Sequence, residues 1–435
     1  MKQFLIRLLL LLTSVLAFPQ HYVLDSIMPT SGHLIDFEKN QFYFADESPY
    51  FQRFFLKFDS IFKGKEEKLH IFHIGGSHIQ ADIYSNKMRT YLQNSNETMQ
   101  AQRGFVFPYH LAHTNNPVNY RIEANKEKWT GYRCSIKKDS IAWGLAGITA
   151  AFRDQIDTIY LKSNYKNYTK KAYTFNRLRL FYNTWKNDYT LRFLDSTLVE
   201  KDSLNSKIMY RDYSLNHDVD SVAIEIKLKD TSLVKPEFLL MGVEFMNNNS
   251  GIEYTSIGVN GASFKYFNRS AFLETQLGLY KPDLFIISIG TNDAYVPASY
   301  FDPQEFKEYY EAFILMIKRI NPNCAILLTV PNDNYYKRKK PNPNTAKQKY
   351  IITELAKKYQ MAVWDFYTIM GGFGSSNNWY KNGLMPRDRI HFTMLGYSVK
   401  GDLFLNAFIK AWAQATNQNA EELLSHFKNL EVLDE

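Results

Sequence analysis

An apolar run, Ile71-Phe72-His73-Ile74-Gly75-Gly76-Ser77-His78, ends on two glycines and a serine. More than three hundred residues later, Asp388-Arg389-Ile390-His391 places a carboxylate three positions before a histidine. Between them, Gly290-Thr291-Asn292-Asp293 follows a second apolar run, Leu284 to Ile289. A serine nucleophile needs a base, the base needs an orienting carboxylate, and a developing oxyanion needs hydrogen-bond donors. Ser77, His391 and Asp388 are the right residue types for the first three roles. Asn292 offers a side-chain amide, Gly261 a backbone N–H that no Cβ obstructs, and Ser77 its own N–H, for the fourth. The chemistry such a set can perform is acyl transfer through a serine ester.

Each residue also has a plain reading. Serine is a preferred helix N-cap, and Ser77 stands where a strand should turn into a helix. Asp388 could be a surface carboxylate paired with Arg387 or Arg389, and a lone His391 a structural residue. Asn292 and Gly261 are common turn residues. Asp293 is a rival orienting carboxylate without a neighbouring histidine, and the G-x-S-x-G elbow is absent because Ile79 fills its last position. What weighs against the plain readings is that all the segments fall at expected strand ends.

Those strands come from the apolar periodicity. Leu69 to Ile74 reads as a buried strand and Ile79 to Leu92 as the helix after it. The alternation resumes with strands at Ile252–Gly258, Leu284–Ile289, Cys324–Val330 and Met361–Asp365, and helices near 267–279, 303–320, 344–359 and 395–414. Strands alternating with helices predict an α/β fold with an open, doubly wound parallel sheet, whose reactive residues gather at the carboxyl ends of its strands. Ahead of it, Phe51, Phe54, Phe55, Phe58 and Phe62 recur at helical spacing, a stripe expected to be core.

Residues 105–250 break this pattern. Thr158–Ser163, Arg177–Tyr182, Tyr189–Leu194, Val222–Leu228 and Phe238–Met246 alternate apolar and polar residues between Asn-, Asp- and Lys-rich turns. Short strands at that spacing predict a β-sandwich inserted between the first and second parallel strands. The α/β part is then discontinuous, over 48–104 and 251–415. Residues 18–47 form an extended N-terminal segment and 416–435 a helical tail.

At 435 residues and 45% hydrophobic content the chain can bury more than one core. Lys2 and Arg7 flank an apolar stretch, Leu8 to Leu16, followed by Ala17. This pattern predicts a signal peptide over 1–17, export to the periplasm or beyond, and no membrane insertion after cleavage. The net charge of +8 is spread out except for Lys337-Arg338-Lys339-Lys340, read as a solvated loop. Nothing in it indicates a nucleic-acid partner. Cys134 and Cys324 are too few for a disulfide scaffold and fall in different segments, so sequence alone does not pair them.

Together these blocks resemble the SGNH (GDSL-type) hydrolase family. Ser77 matches its block I nucleophile, Gly261 in Gly258-Val259-Asn260-Gly261-Ala262 its block II glycine, and Asn292 its block III amide. Asp388 and His391 match its Asp-x-x-His. The family usually has Asp before the serine, where this chain has Gly76. The resemblance implies a flavodoxin-like, five-stranded sheet, no metal and no cofactor. The stretch Ser77 to Asp82 and the β-insert are most similar to bacterial peptidoglycan O-acetylesterases, whose insert resembles a carbohydrate-binding module. It therefore implies removal of O-acetyl groups from N-acetylmuramic acid through an acetyl-Ser77 ester. An acetyltransferase with the same triad, or an idle wall-binding protein, are the alternatives to that expectation.

Overall fold

The computed structural model describes residues 31–166, 171–428 and 430. The expected signal peptide lies outside these residues, and the N-terminal segment is described from Ser31 onward.

Five apolar runs form one parallel sheet: Lys68–Gly75, Gly251–Gly258, Leu284–Ser288, Ala325–Val330 and Ala362–Asp365. Their spatial order is second, first, third, fourth, fifth, the flavodoxin-like doubly wound arrangement. These strands are buried on both faces, so they read as continuous rather than alternating apolar runs. Alternate residues serve the two cores. Phe72, Ile74, Phe285 and Ile287 face one, Leu69, Ile71, Leu284 and Ile286 the other.

The phenylalanine stripe lies in that second core. Phe54, Phe55 and Phe58 of the helix Pro49–Phe62 pack edge-on against Phe408 of the long helix Met394–Thr416. A short strand, Phe42–Phe44, adds antiparallel to the Ala362–Asp365 edge, within the segment expected to be simply extended. Three residues are too few for a period of two to register.

Two expected helices are each broken. The one read as Ile79–Leu92 is a single turn, Ser77–Gln80, and then Tyr84–Asn94. Asp82 between them takes a left-handed φ of 48° because its carboxylate is fully engaged. It accepts from Arg89 (3.1 and 3.2 Å), Ser85 (2.6 Å), Ser256 (2.6 Å) and Asn119 (2.7 Å). The helix expected near 267–279 is likewise two short pieces, Phe264–Phe267 and Leu273–Leu277.

Every strand from Gly104 to Met246 belongs to antiparallel sheets of seven and four strands, and its core is continuous with one face of the parallel sheet. The five strands read from sequence are present. Six more are present, and two of them carry no alternation: Ile148–Phe152 is buried throughout and Val199–Asn205 almost wholly exposed. Cys134 and Cys324 are buried and unpaired. No helix among the described residues is long and apolar enough to cross a membrane.

Where the inserted sheet meets the parallel one, Glu244 and Glu253 are both buried. Burial pushes both carboxyls up from the ordinary range; Arg179 opposes this at Glu244 and Lys68 at Glu253. A carboxyl whose pKa is raised by folding binds its proton more tightly in the folded state. Its stabilisation is complete below the unfolded value of 4.5 and is lost as pH rises toward and past neutrality. We expect the thermal midpoint to fall between about pH 5 and pH 8, and Glu253→Gln to flatten that slope. An unchanged slope in melts of the variant would refute this account of the seam.

Candidate active site

Glycines bring Ser77 into place. The first parallel strand ends at Gly75, where a Cβ would stand 2.3 Å from Ile79 Cγ1. Gly258, ending the neighbouring strand, faces the same turn; a Cβ there would stand 2.0 Å from the Gln80 nitrogen. Only bare backbone lets Ser77–Gln80 sit this tightly against two strand ends.

Ser77 Oγ lies 2.9 Å from His391 Nε2, and His391 Nδ1 lies 2.8 Å from Asp388 Oδ2. The other Asp388 oxygen accepts the N–H groups of Ile390 (2.9 Å) and His391 (3.1 Å). Burial works to raise the Asp388 pKa, but the hydrogen bond from His391 and these two N–H groups outweigh it, holding the carboxyl at about 2. Asp388 is therefore an anion at neutral pH. It fixes the proton of the imidazole on Nδ1 and leaves Nε2 to accept from the serine hydroxyl. No ion pair joins Asp388 to Arg387 or Arg389 among the described residues. Instead the Arg389 guanidinium lies between the rings of Tyr335 (4.2 Å) and Tyr380 (5.3 Å).

The donors for an oxyanion are beside the serine. Asn292 is the second residue of the turn Thr291–Ala294 and donates one amide hydrogen to Ala262 O at 2.9 Å, leaving its second available. That turn is held by Gln348, whose amide donates to Gly290 O at 2.9 Å. Gly261 adopts a φ of 79°. Among the described residues, the N–H groups of Gly261 and Ser77 donate to no other protein group. Gly76 leaves room for this arrangement, since a Cβ there would meet Asn292 Nδ2 at 3.2 Å. A side chain at this position would press on the amide.

The rival carboxylate stands elsewhere. Asp293 accepts from the Phe264 N–H at 3.2 Å, bonds to no histidine among the described residues, and is pushed up to about 7 by burial. His78 is an internal residue bonded to Tyr397 at 2.9 Å, its ring 5.3 Å from that of His391. Burial pushes its pKa well below the ordinary value, so its imidazole is neutral.

Ser77, Gly261, Asn292 and His391 open on one cavity of about 440 Å³. Sequence reading assigned nothing to Asn115, Tyr295 and Tyr397, which also line it. Asn115 comes from the inserted segment. Gln80 ties it in, accepting from the Asn260 N–H at 2.8 Å and donating to Asn115 O at 3.0 Å. Gln80 and Asp82 stand in the stretch after Ser77, but no spacing rule announces a clamp between loops. No three His, Cys, Asp or Glu side chains among the described residues are grouped to hold a metal ion.

Residues 241–399 match the GDSL-like Lipase/Acylhydrolase family. The match contains Gly261, Asn292, Asp388 and His391; Ser77 lies outside it and joins them through the fold. No curated protein matches the chain. Among solved structures, one described as a peptidoglycan O-acetylesterase superposes with a TM-score of 0.67 at 19% identity, covering 83% of this chain and 96% of that one. An acetyl xylan esterase matches at 22% identity and TM-score 0.30, covering 36% of this chain and 81% of its own. An acetyl xylan esterase from Geobacillus stearothermophilus matches at 20% and 0.27, covering 38% and 73%. The first of these superposes over most of both chains. Residues 241–399 are thus similar to the GDSL-like lipase/acylhydrolase family, and the chain has the parallel-sheet α/β fold of SGNH hydrolases with further antiparallel sheets added.

Proposed function

We propose that this protein is an exported serine carbohydrate esterase that removes O-acetyl groups from peptidoglycan, at N-acetylmuramic acid, through an acetyl-Ser77 intermediate. The observation that carries this is the unbroken line from Asp388 to His391 to Ser77, ending in a cavity that also holds Gly261 and Asn292. His391 Nε2 takes the Ser77 hydroxyl proton as Oγ attacks the acetyl carbonyl, and Asp388 stabilises the imidazolium. The N–H groups of Ser77 and Gly261 and the free amide hydrogen of Asn292 receive the oxyanion. The sugar hydroxyl leaves with the proton from His391. Water, deprotonated by the same nitrogen, then releases acetate and frees Ser77.

The glycan is supported by the fold shared with a peptidoglycan O-acetylesterase over 83% of this chain and 96% of that one. Export is supported by the basic and apolar pattern of residues 1–17. The test is acetate release from O-acetylated peptidoglycan, acetylated xylan and an aryl acetate, with and without an acceptor glycan. Fastest release from peptidoglycan, into water, is expected. Faster release from xylan would overturn the substrate, and acetyl carried to the acceptor would overturn hydrolysis.

A further inference from the structure

The run Lys337-Arg338-Lys339-Lys340, read from sequence as a solvated loop, forms the tip and the first returning residue of a small hairpin packed against Tyr295, a residue of the cavity wall. Tyr335–Tyr336 pairs antiparallel with Lys340–Pro341. The Lys337 N–H donates to Tyr295 Oη at 2.9 Å, and the Tyr295 and Tyr336 rings are 5.2 Å apart. Tyr295 lines the cavity that holds Ser77 and His391. At its base, the hairpin is fastened to the loop carrying Asp388 and His391: the Tyr335 N–H donates to Arg389 O at 3.2 Å, and the Tyr335 ring covers the Arg389 guanidinium. The cationic tip is thus fixed relative to the nucleophile by two separate attachments.

All four cations are exposed, and among the described residues none is paired with a carboxylate. Elsewhere on the surface many cations are paired, as Lys265 is with Glu305, Lys307 with Glu354 and Arg319 with Glu274. Lys337 and Arg338 also occupy left-handed backbone, with φ of 51° and 60°. That turn geometry favours Asn and Gly, so two long cationic side chains hold it against local preference. The result is a compact block of positive charge joined to the cavity wall through Tyr295.

Resting on the esterase reading, the geometry points to a substrate that is polyanionic: the Tyr335–Pro341 hairpin selects an acetylated glycan bearing negative groups near the sugar whose acetyl enters the cavity. A lipid surface fits less well, because the hairpin is joined to the acetyl site and so to the polymer that occupies it. The negative groups are carboxylates on a peptide substituent or on the sugar ring itself, and the two sources are separable by assay. At a Debye length of about 8 Å in physiological salt, such a contact acts only on charges close to the reacting sugar.

The experiment replaces the four cations together (Lys337→Gln, Arg338→Gln, Lys339→Gln, Lys340→Gln). A variant of equal charge, with Lys201, Lys207, Lys227 and Lys235 of the inserted segment changed to Gln, is the control. The first readout is kcat/KM for acetate release from O-acetylated peptidoglycan, acetylated polygalacturonate and acetylated xylan, each divided by the rate on an aryl acetate. The second is retardation in gels containing polygalacturonate or xylan, which needs no turnover. We expect the hairpin variant to lose about tenfold or more on acidic glycans relative to aryl acetate, with the salt sensitivity of that rate. Its retardation by polygalacturonate should fall, while the control keeps both. Loss on peptidoglycan alone places the charge on the peptide; loss on both acidic polymers places it on carboxylates generally. Equal behaviour of hairpin variant and control overturns the inference, as does binding to anionic phosphatidylglycerol vesicles without any glycan effect. Absence of acetate release from every substrate by the unaltered protein instead defeats the esterase reading, and the gel readout still decides the hairpin. A milder variant, Lys339→Gln with Lys340→Gln, leaves the left-handed turn residues in place and is expected to show part of the loss.

Discussion

Replacing Ser77 by alanine is expected to lower acetate release about 10⁴- to 10⁶-fold with the fold intact, because Oγ is both the attacking atom and the acceptor of the acetyl group. Ser77 is only part-buried and its hydroxyl bonds to His391 alone, so no internal partner is orphaned when it is removed. His391→Ala should cost a similar factor, and the double variant little more, since the two side chains act on one proton. Asp388→Asn should fall less far than either while remaining strongly impaired, because an amide no longer dictates which ring nitrogen carries the proton. A fluorophosphonate probe should label the unaltered protein at Ser77 and leave the alanine variant unmarked. Turnover by Ser77→Ala at the wild-type rate, in protein with an unchanged thermal midpoint, would refute the assignment.

The largest expected stability effect is away from the chemistry. Arg89→Leu should destabilise the fold by about 3–5 kcal/mol, because it strips Asp82 of its closest countercharge in a site closed to water. Burial favours the neutral carboxyl at Asp82, and it is the Arg89 and Arg103 charges that hold its pKa below the ordinary value. Arg89 also donates to Tyr254 O (2.9 Å) and Ser256 Oγ (2.6 Å) in the neighbouring strand. Removing both ends together, Asp82→Leu with Arg89→Leu, should cost much less than the sum of the single changes. Urea unfolding of the four proteins closes this cycle. A single change costing under about 1 kcal/mol would mean that the pair is not a structural hub.

The legible part of the site was local or punctuated. Asp388 and His391 are three residues apart, so their contact follows from one turn of chain, and Asn292 and Ser77 each follow a run too apolar to be anything but buried. The parallel strands were readable for the same reason. What escaped the reading depends on contacts between distant segments. Asn115 reaches the cavity wall only because Gln80 fastens its loop to the strand end at Asn260. Asp82 breaks a helix that its neighbours' apolar spacing supports, since five hydrogen bonds to partners scattered from Ser85 to Ser256 outweigh the periodicity. Strands such as Val199–Asn205, almost wholly exposed, offer no alternation to detect.

The insertion has a consequence for the order in which the molecule comes together. The strand that carries Ser77 lies between the second and third parallel strands, and both follow the whole β-insert along the chain. During synthesis its apolar face therefore waits, unpaired, until the insert has emerged, a long-range closure of the kind that slows folding and exposes chains to aggregation. The base arrives later still, 314 residues beyond the nucleophile. Reactivity at Ser77 accordingly appears only when the last parallel strand and the loop after it are in place, so probe labelling during refolding times the final step of assembly rather than the first.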